Sequence, residues 1–154
     1  MTRTVRYQGA ILRDDHILLI QHREHATGRA YWLLPGGGRE SGETEEACII
    51  REMREETGCE VAVKRVLLVE RGHPMGIYKH LKTYLCHIIS GTPAPGYEPE
   101  EEAAREYAIA EVGWFDLRNP AGWEAGLKND PFTYPLLLRI RAALGYAVDE
   151  AIGS

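Results

Sequence analysis

Apolar and polar residues alternate along the first part of the chain. The alternation over residues 4–12, and again over 17–23, is typical of half-buried β-strands. The polar run 13–16 predicts a turn that joins these strands into a hairpin, and residues 24–30 are predicted as a polar loop. Apolar runs predict four further strands, over residues 31–34, 60–70, 77–90 and 107–116. Residues 72–76 are predicted as the loop between the two long strands.

Helical spacing replaces this alternation after residue 40. Ser41 or Thr44 is the expected N-cap, the glutamates that follow suit the positive end of the helix dipole, and Gly58 is the expected C-terminal stop. The predicted buried side of this helix consists of Ala47, Ile50, Met53 and Thr57.

The second half of the chain predicts less regular structure. Residues 91–102 are predicted as an irregular acidic loop and 119–129 as a short helix. A last helix is predicted from Asp130 and Pro131 to Leu144, and 149–154 as a loose tail. Strands around one central helix, with a terminal helix, predict a mixed sheet between helices in a single domain over residues 1–148. This pattern alone leaves α+β and α/β open.

Composition restricts the function classes. The 154 residues carry a net charge of −5, which argues against a nucleic-acid polymer as partner. Cys48, Cys59 and Cys86 form no metal-binding or disulfide pattern, which suits a reducing cytoplasm. No apolar run has the length of a membrane span, and no signal peptide is expected. A homodimer remains open.

The most informative feature is an acidic face on the predicted central helix. Glu52, Glu55 and Glu56 share this face, where like charges at such spacing repel by roughly 0.2–0.5 kcal/mol per pair. A hard divalent cation would turn this repulsion into coordination, whereas a structural helix would leave the face solvated. Arg51 and Arg54 are interleaved with these glutamates.

A glycine-rich loop precedes the helix and favours the metal interpretation. Gly36, Gly37 and Gly38 allow a backbone to come close to a ligand. Five residues separate Gly37 from Glu43, and seven more precede Arg51-Glu52-Met53-Arg54-Glu55-Glu56-Thr57-Gly58. This pattern, residues 37–59, resembles the Nudix box. The sequences WLLP before it and EVGWF at 111–115 also resemble that family, whereas Cys59 replaces its usual larger aliphatic residue.

The resemblance implies an α/β/α sandwich with a mixed sheet and a hydrolase of nucleoside diphosphates linked to another moiety. Mg²⁺, with Mn²⁺ as a substitute, is the implied cofactor. Its expected ligands are Glu52, Glu55, Glu56 and the Gly37 carbonyl. Arg51 is expected to hold these glutamates in place through Glu43.

The general base stays open at this stage. Glu55 and Glu56 are candidates within the helix, because a box glutamate can serve in this family. A carboxylate from a distant loop or strand is the alternative, and these candidates are Glu98, Glu100, Glu101, Glu102 and Glu111.

Substrate contacts are predicted more weakly. Arg23 and Arg29 could meet phosphates, as could the backbone of Gly36, Gly37 and Gly38, and Tyr31, Tyr78 or Tyr84 could stack on a base. Pro74, sixteen residues after Gly58, resembles the proline associated with ADP-ribose-type substrates. The other expected substrates are a nucleotide sugar other than ADP-ribose, a dinucleotide or a nucleoside triphosphate. A non-catalytic nucleotide-sensing module and a purely structural acidic helix are the competing hypotheses.

Overall fold

The protein is described by a computed structural model for residues 4–75, 78–97 and 101–146, without the side chains of 73–75 and 101–103. The strands are β1 (Val5–Arg13), β2 (His16–Glu24), β3 (Ala30–Leu33), β4 (Gly36–Gly37), β5 (Glu60–Met75), β6 (Tyr78–Ser90) and β7 (Tyr107–Asp116). The helices are α1 (Glu45–Thr57), α2 (Glu101–Glu106), α3 (Ala125–Lys128) and α4 (Thr133–Leu144), with a 3-10 turn at Pro120–Gly122.

The strands form one mixed sheet. Its main path runs β3-β2-β1-β6-β5, with β4 paired to β1 and β7 paired to β2. Only the β1–β6 pairing is parallel, among the pairs that the described residues form. The predicted β1–β2 hairpin is present, and its turn places Asp14 and Asp15 at positive φ, as a tight hairpin turn requires.

Helices cover the two faces of this sheet, and the side chains of β1 point alternately to one face and the other. Tyr7 and Ile11 pack toward Ile49 and Met53 of α1. Ala10 points to the other face, where the core includes Leu137 and Ile140 of α4. The predicted layers of helix, mixed sheet and helix are therefore present, and α1 is held by β1, β4 and β5.

Helix α1 begins and ends as its sequence predicts. The Thr44 side chain accepts a hydrogen bond from Ala47 N at 3.0 Å, and Gly58 ends the helix in the left-handed conformation at φ 76°. The predicted buried side was partly wrong, because Ala47 is exposed and Ile50 only partly buried. The buried residues of α1 are Cys48, Ile49, Glu52, Met53, Glu56 and Thr57.

Three predicted segments differ from the structure. The loop predicted at 72–76 is mostly strand, because β5 continues to Met75 and pairs with Tyr78. The segment predicted as irregular over 91–102 ends in α2. Helix α4 starts at Thr133, since Asp130 stays outside it and accepts hydrogen bonds from the backbone N–H groups of Phe132 and Thr133. The predicted tail at 149–154 lies outside the described residues.

Candidate functional site

The glycine loop is fixed against β1 by its backbone. Gly36 and Gly37 pair with Gln8 and Tyr7, and Gly9 N donates to Pro35 O at 3.0 Å. A Cβ at Gly36 would lie 2.3 Å from Tyr7 O, and a Cβ at Gly37 would lie 2.1 Å from Glu52 Oε2. Only glycine therefore permits this loop to lie between the strand and the carboxylates of α1.

Two of the three acidic-face carboxylates are buried beneath this loop. Glu52 is 6% exposed and Glu56 is 2% exposed, and Glu56 Oε1 accepts a hydrogen bond from Gly36 N at 2.9 Å. Glu55 is partly buried. Glu52 and Glu56 therefore do not lie on a solvated acidic face. Burying a charge is costly unless it is paired and hydrogen-bonded, so both carboxylates need partners.

Arg51 is the shared partner of the carboxylates around the loop. Its guanidinium donates to both carboxylate oxygens of Glu43, at 2.7 and 3.0 Å. It also donates to Glu55 Oε1 at 2.7 Å, Glu52 Oε2 at 3.3 Å and Gly38 O at 3.1 Å. Hydrogen bonding to Glu43 raises the pKa of Arg51 against the effect of burial, and Glu52 and Glu55 add to this rise. Glu40 Oε1 also lies 3.4 Å from Arg51 Nε, so one cation faces four carboxylates, and this cluster keeps an excess of negative charge.

The donor set suits a hard divalent cation. No group of three His, Cys, Asp or Glu side chains in the described part of the chain already converges as a metal cage. Arg51 and the Gly36 N–H hold the carboxylates of α1 instead. Mg²⁺ does not need such a cage, because it is usually bound by one or two carboxylates with waters and substrate phosphates. Glu52, Glu56 and the neighbouring backbone of Gly37 fit that requirement.

The structure does not place the other predicted residues equally near this cluster. Arg23 and Arg29 are exposed, and their side chains make contacts within residues 23–29. Arg23 donates to Gly28 O at 3.1 Å, and Arg29 pairs with Glu24 at 3.3 Å. Glu111 is exposed on β7 opposite Gln21, and its carboxylate forms no hydrogen bond or ion pair within the described residues.

Several predicted residues can be placed only by their backbone or not at all. Pro74 lies near the end of β5, and Tyr78 begins β6 opposite Met75. Glu101 and Glu102 begin α2, and their side chains are outside the described part of the structure. Glu98 and Glu100 lie outside the described residues altogether.

Cys48 and Tyr84 fill structural positions near the cluster. Cys48 is fully buried, with Sγ 3.9 Å from Gly37 O. The Tyr84 hydroxyl donates to Glu45, which also pairs with Lys82 at 2.7 Å.

Sequence reasoning missed a polar group beside the glycine loop. Arg6 is buried and donates to Leu34 O at 2.8 Å, directly before Pro35. His22 is 4% exposed, stacks on Tyr107 with ring centroids 4.1 Å apart, and meets Tyr31 edge-on. Its Nε2 has no hydrogen-bond partner among the described residues. Burial, and to a smaller degree the charge of Arg6, lowers the pKa of His22 to about 3. Neither residue breaks the strand alternation, so no sequence signal marked them.

Comparison with known proteins identifies the family. The family model described as NUDIX domain matches residues 3–133, which is most of the chain. The chain belongs to the NUDIX domain family. The motif resemblance at residues 37–59 is thereby confirmed.

Curated relatives share part of their length with this Nudix chain. An ADP-ribose pyrophosphatase of Methanocaldococcus jannaschii is 35% identical over 122 residues, which cover 75% of this chain and 63% of that protein. An NAD-capped RNA hydrolase NudC of Photobacterium profundum is 36% identical over 95 residues, covering 61% of this chain and 34% of that protein. The chain therefore spans less than two thirds of the length of either relative.

Solved Nudix structures share the fold. A Nudix hydrolase from Nitrosomonas europaea aligns with a TM-score of 0.69 at 20% identity, covering 96% of this chain and 94% of the other. An ADP-ribose pyrophosphatase from Streptococcus suis aligns with a TM-score of 0.65 at 21% identity, covering 96% of each chain. These likenesses confirm the predicted α+β class with a mixed sheet. No helix among the described residues has the length and apolarity needed to cross a membrane.

Proposed function

We propose that the protein is a Mg²⁺-dependent hydrolase that cleaves the pyrophosphate linkage of a nucleoside diphosphate derivative. The observation that supports this most directly is the burial of Glu52 and Glu56 beneath the backbone of Gly36 and Gly37. A buried pair of carboxylates with an excess of negative charge is costly for a purely structural helix. It is the expected arrangement where a cation is bound during function.

Glu52 and Glu56 would hold the metal ion, with the Gly37 carbonyl beside them and Glu55 at the edge of the cluster. When bound, the ion would neutralise the pyrophosphate oxygens and lower the pKa of a bound water. Arg51 holds Glu52 and Glu55 at fixed positions through its hydrogen bonds, and Glu43 in turn fixes Arg51. Such positioning is most of what an enzyme must supply for phosphoryl chemistry. Mn²⁺ is the expected substitute for Mg²⁺.

Two groups of carboxylates remain as the source of the general base. Glu55 is only partly buried within the cluster, and its Oε1 accepts a hydrogen bond from Arg51 at 2.7 Å. The acidic segment 98–102 follows a stretch whose backbone contacts the C-terminal end of α1. Glu111 is less favoured, because it lies on β7 away from the described contacts of the Arg51 cluster.

Arg6 would contact the nucleoside side of the substrate. Arg6 reaches the carbonyl of Leu34, three residues before Gly37, so a substrate whose phosphates lie at Gly37 would extend toward it. The partly buried Tyr31, which meets the His22 ring edge-on, supplies an aromatic surface. ADP-ribose is the first substrate to test, given Pro74 and the activity named for the relative from Methanocaldococcus jannaschii.

A substrate panel tests this function. The protein with Mg²⁺ is incubated with ADP-ribose, NAD⁺, a UDP-sugar, a deoxynucleoside triphosphate and an NAD-capped RNA oligonucleotide, and phosphate is measured after phosphatase coupling. We expect turnover of at least one small nucleotide and its loss in Glu52→Gln. Thermal stabilisation by nucleotides without any turnover would favour a nucleotide sensor instead. Neither turnover nor stabilisation would leave only a structural acidic helix.

A further inference from the structure

Arg6 of β1 is a buried cation that has no carboxylate partner. The residue is 6% exposed, its Nη2 donates to Leu34 O at 2.8 Å, and its Nε donates to Gln8 Oε1 at 3.4 Å. In the described part of the chain, no carboxylate forms an ion pair with Arg6, and its Nη1 donates to no acceptor. A buried charge is costly unless it is paired and hydrogen-bonded. Arg6 therefore has its charge and one nitrogen available for an anion.

Arg51 shows the opposite arrangement, because its single guanidinium faces four carboxylates. The carboxylates around Arg51 do not pair with Arg6, and the direction of β1 explains why. Tyr7 packs toward α1, and successive side chains of a strand point to opposite faces, so Arg6 points away from α1. An excess of negative charge and an unpaired positive charge therefore lie on opposite sides of the same strand.

The end of the Arg6 side chain is not sealed from solvent. Among the described residues, the buried side-chain N and O atoms without a hydrogen-bond partner are Gln21 Oε1, His22 Nε2 and Trp32 Nε1. Arg6 Nη1 has no partner either but is not one of these buried atoms, so it keeps contact with solvent. Burial raises the pKa of the partly buried Tyr31, and the nearby charge of Arg6 is one of the effects that oppose this rise. An anion can thus reach Arg6 beside an aromatic ring.

Buried polar neighbours hold the guanidinium of Arg6 in place. Gln8, which accepts from Arg6, donates through Nε2 to Thr83 Oγ1 at 2.9 Å, and both of these residues are buried. The bond to Leu34 O ties the other side of the guanidinium to the segment before the glycine loop. A guanidinium fixed in this way loses little conformational freedom when it binds an anion.

The position of Arg6 relative to the glycine loop indicates which part of a substrate it meets. Leu34 precedes Gly37 by three residues, which span at most about 11 Å. A ribose whose 5′-phosphate lies at the glycine loop can carry a second phosphate, on its 2′ or 3′ oxygen, within such a span. A guanidinium suits this group, because it binds phosphate oxygens through two parallel hydrogen bonds.

We propose that Arg6 binds a phosphate monoester on the ribose of the substrate and that the protein prefers nucleotides that carry this phosphate. The inference rests on the proposed hydrolase function and names a substrate class within it. Glu52 and Glu56 are held separately, by contact with Gly37 and by the Gly36 N–H. Loss of Arg6 should therefore change the preference between substrates and leave the turnover of nucleotides without the extra phosphate close to that of the parent.

Substrates that differ by one phosphate test the proposal in the full-length protein. The pairs are ADP-ribose with its 2′-phosphate and NAD⁺ with NADP⁺, and kcat/KM is measured for each with Mg²⁺. Binding of AMP, adenosine 2′,5′-bisphosphate and adenosine 3′,5′-bisphosphate is measured by calorimetry without metal. The variants are Arg6→Met, which removes the charge, and Arg6→Lys, which keeps it. Arg118→Met is the matched control, since Arg118 is exposed and pairs with Asp116.

We expect the parent to favour the phosphorylated member of each pair, and one of the bisphosphates over AMP, by about ten- to a hundredfold, the usual effect of a hydrogen bond to a charged group. Arg6→Met should abolish this preference, Arg6→Lys should keep part of it, and Arg118→Met should match the parent. The bisphosphate that binds more tightly identifies the 2′ or the 3′ position.

A parent without preference in turnover and in binding would overturn the proposal, even if Arg6→Met fails to fold. Equal losses for both members of a pair in Arg6→Met would also overturn it, because Arg6 would then only hold Leu34 O or contact the pyrophosphate. Tighter binding of a bisphosphate by the parent, lost in Arg6→Met but without turnover of any nucleotide, would refute the hydrolase function and support the phosphate site.

Discussion

Glu56 Oε1 accepts a hydrogen bond from the backbone N–H of Gly36 at 2.9 Å, although Glu56 and Gly36 are twenty residues apart. This bond joins the C-terminal half of α1 to the glycine loop and explains how a nearly fully buried carboxylate is tolerated. Glu56 is proposed as a metal ligand together with Glu52. The glycine loop and α1 therefore form one structural unit.

Replacing Glu52 or Glu55 by Gln should separate metal binding from folding. Glu43, Glu52 and Glu55 share the single cation Arg51, so removing one negative charge should leave the metal-free protein as stable as the parent or slightly more stable. Turnover with Mg²⁺ should fall at least about a hundredfold, because a ligand or its anchor is lost. Thermal melts without metal, beside a rate assay, provide the measurement.

Mg²⁺ and nucleotide should stabilise the Glu52→Gln and Glu55→Gln variants less than they stabilise the parent. Mass action predicts about 2.7 kcal/mol of stabilisation for the parent at a hundredfold excess of Mg²⁺ and nucleotide over Kd, and this gain should shrink in Glu52→Gln. A Glu52→Gln protein that melts lower without metal yet turns over at the parental rate would contradict the metal-site hypothesis.

Arg51→Lys should destabilise the protein, whereas Arg54→Lys should not. Lysine keeps the charge of Arg51 but cannot bond both oxygens of Glu43 while also reaching Glu55 and Gly38. We expect a loss of about 1–3 kcal/mol in the free energy of unfolding, because buried carboxylates lose hydrogen-bond donors. Arg54 pairs with Glu60 on the surface, where ion pairs add little stability, so Arg54→Lys should leave the free energy of unfolding close to that of the parent.

Urea denaturation at neutral pH measures both arginine variants on one scale. Equal stability losses at the two positions would show that the cluster around Arg51 behaves as an ordinary surface ion pair.

Gly37→Ala should reduce both stability and metal binding, although it adds only one methyl group. The added Cβ would lie 2.1 Å from Glu52 Oε2, so either the loop or the carboxylate must move. Overpacking of this kind costs about 1–3 kcal/mol, and the displaced Glu52 should weaken the thermal response to Mn²⁺. Gly126→Ala is the control, because Gly126 is exposed in α3 and its Cβ would meet only Glu124 Oε2, at 3.6 Å. An unchanged Mn²⁺ response in Gly37→Ala would mean that Glu52 does not bind the metal.

Most strands and helix α1 could be predicted from the sequence, because short-range patterns of apolar and capping residues determine them. Thr44 and Gly58 mark the ends of α1 through capping, and the spacing of Glu52 and Glu56 places them on one face. The direction of that face was harder to predict. An apolar stripe through Ala47 and Ile50 was expected to be buried, yet burial follows Cys48, Glu52 and Glu56, since the glycine loop lies over them.

Contacts between distant segments could not be predicted from one sequence. Residues 91–97 contact the C-terminal end of α1 from about forty residues away, and backbone hydrogen bonds such as Gly96 N to Glu56 O leave only a proline and glycine pattern in the sequence. The loop predicted around Pro74 was wrong for a related reason. Gly72 and Pro74 are typical of turns, and the register of β5 with β6 is irregular between Arg71 and Met75, yet pairing resumes at Met75 opposite Tyr78. Tertiary pairing therefore outweighed local preference there.

The burial of His22 makes stability depend on pH in a defined direction. Its pKa is about 3 in the folded protein, lowered by burial and by Arg6, against an ordinary value near 6.5. The unfolded chain therefore binds the proton more tightly than the native state does. The contribution of neutral His22 to stability is fully present above about pH 6.5 and is lost progressively as the pH falls toward 3, by about 1.4 kcal/mol per pKa unit.

His22→Phe should remove this dependence while preserving the stack on Tyr107. The free energy of unfolding of the parent, minus that of His22→Phe, should decrease steadily between pH 6.5 and pH 4 when both are measured by urea denaturation. The exposed His87, changed to Phe in the same way, is the matched control. A constant difference across this range would mean that His22 is as easily protonated in the native state as in the unfolded chain. Its Nε2 would then lie in water, and the burial of His22 against Tyr107 would be wrong.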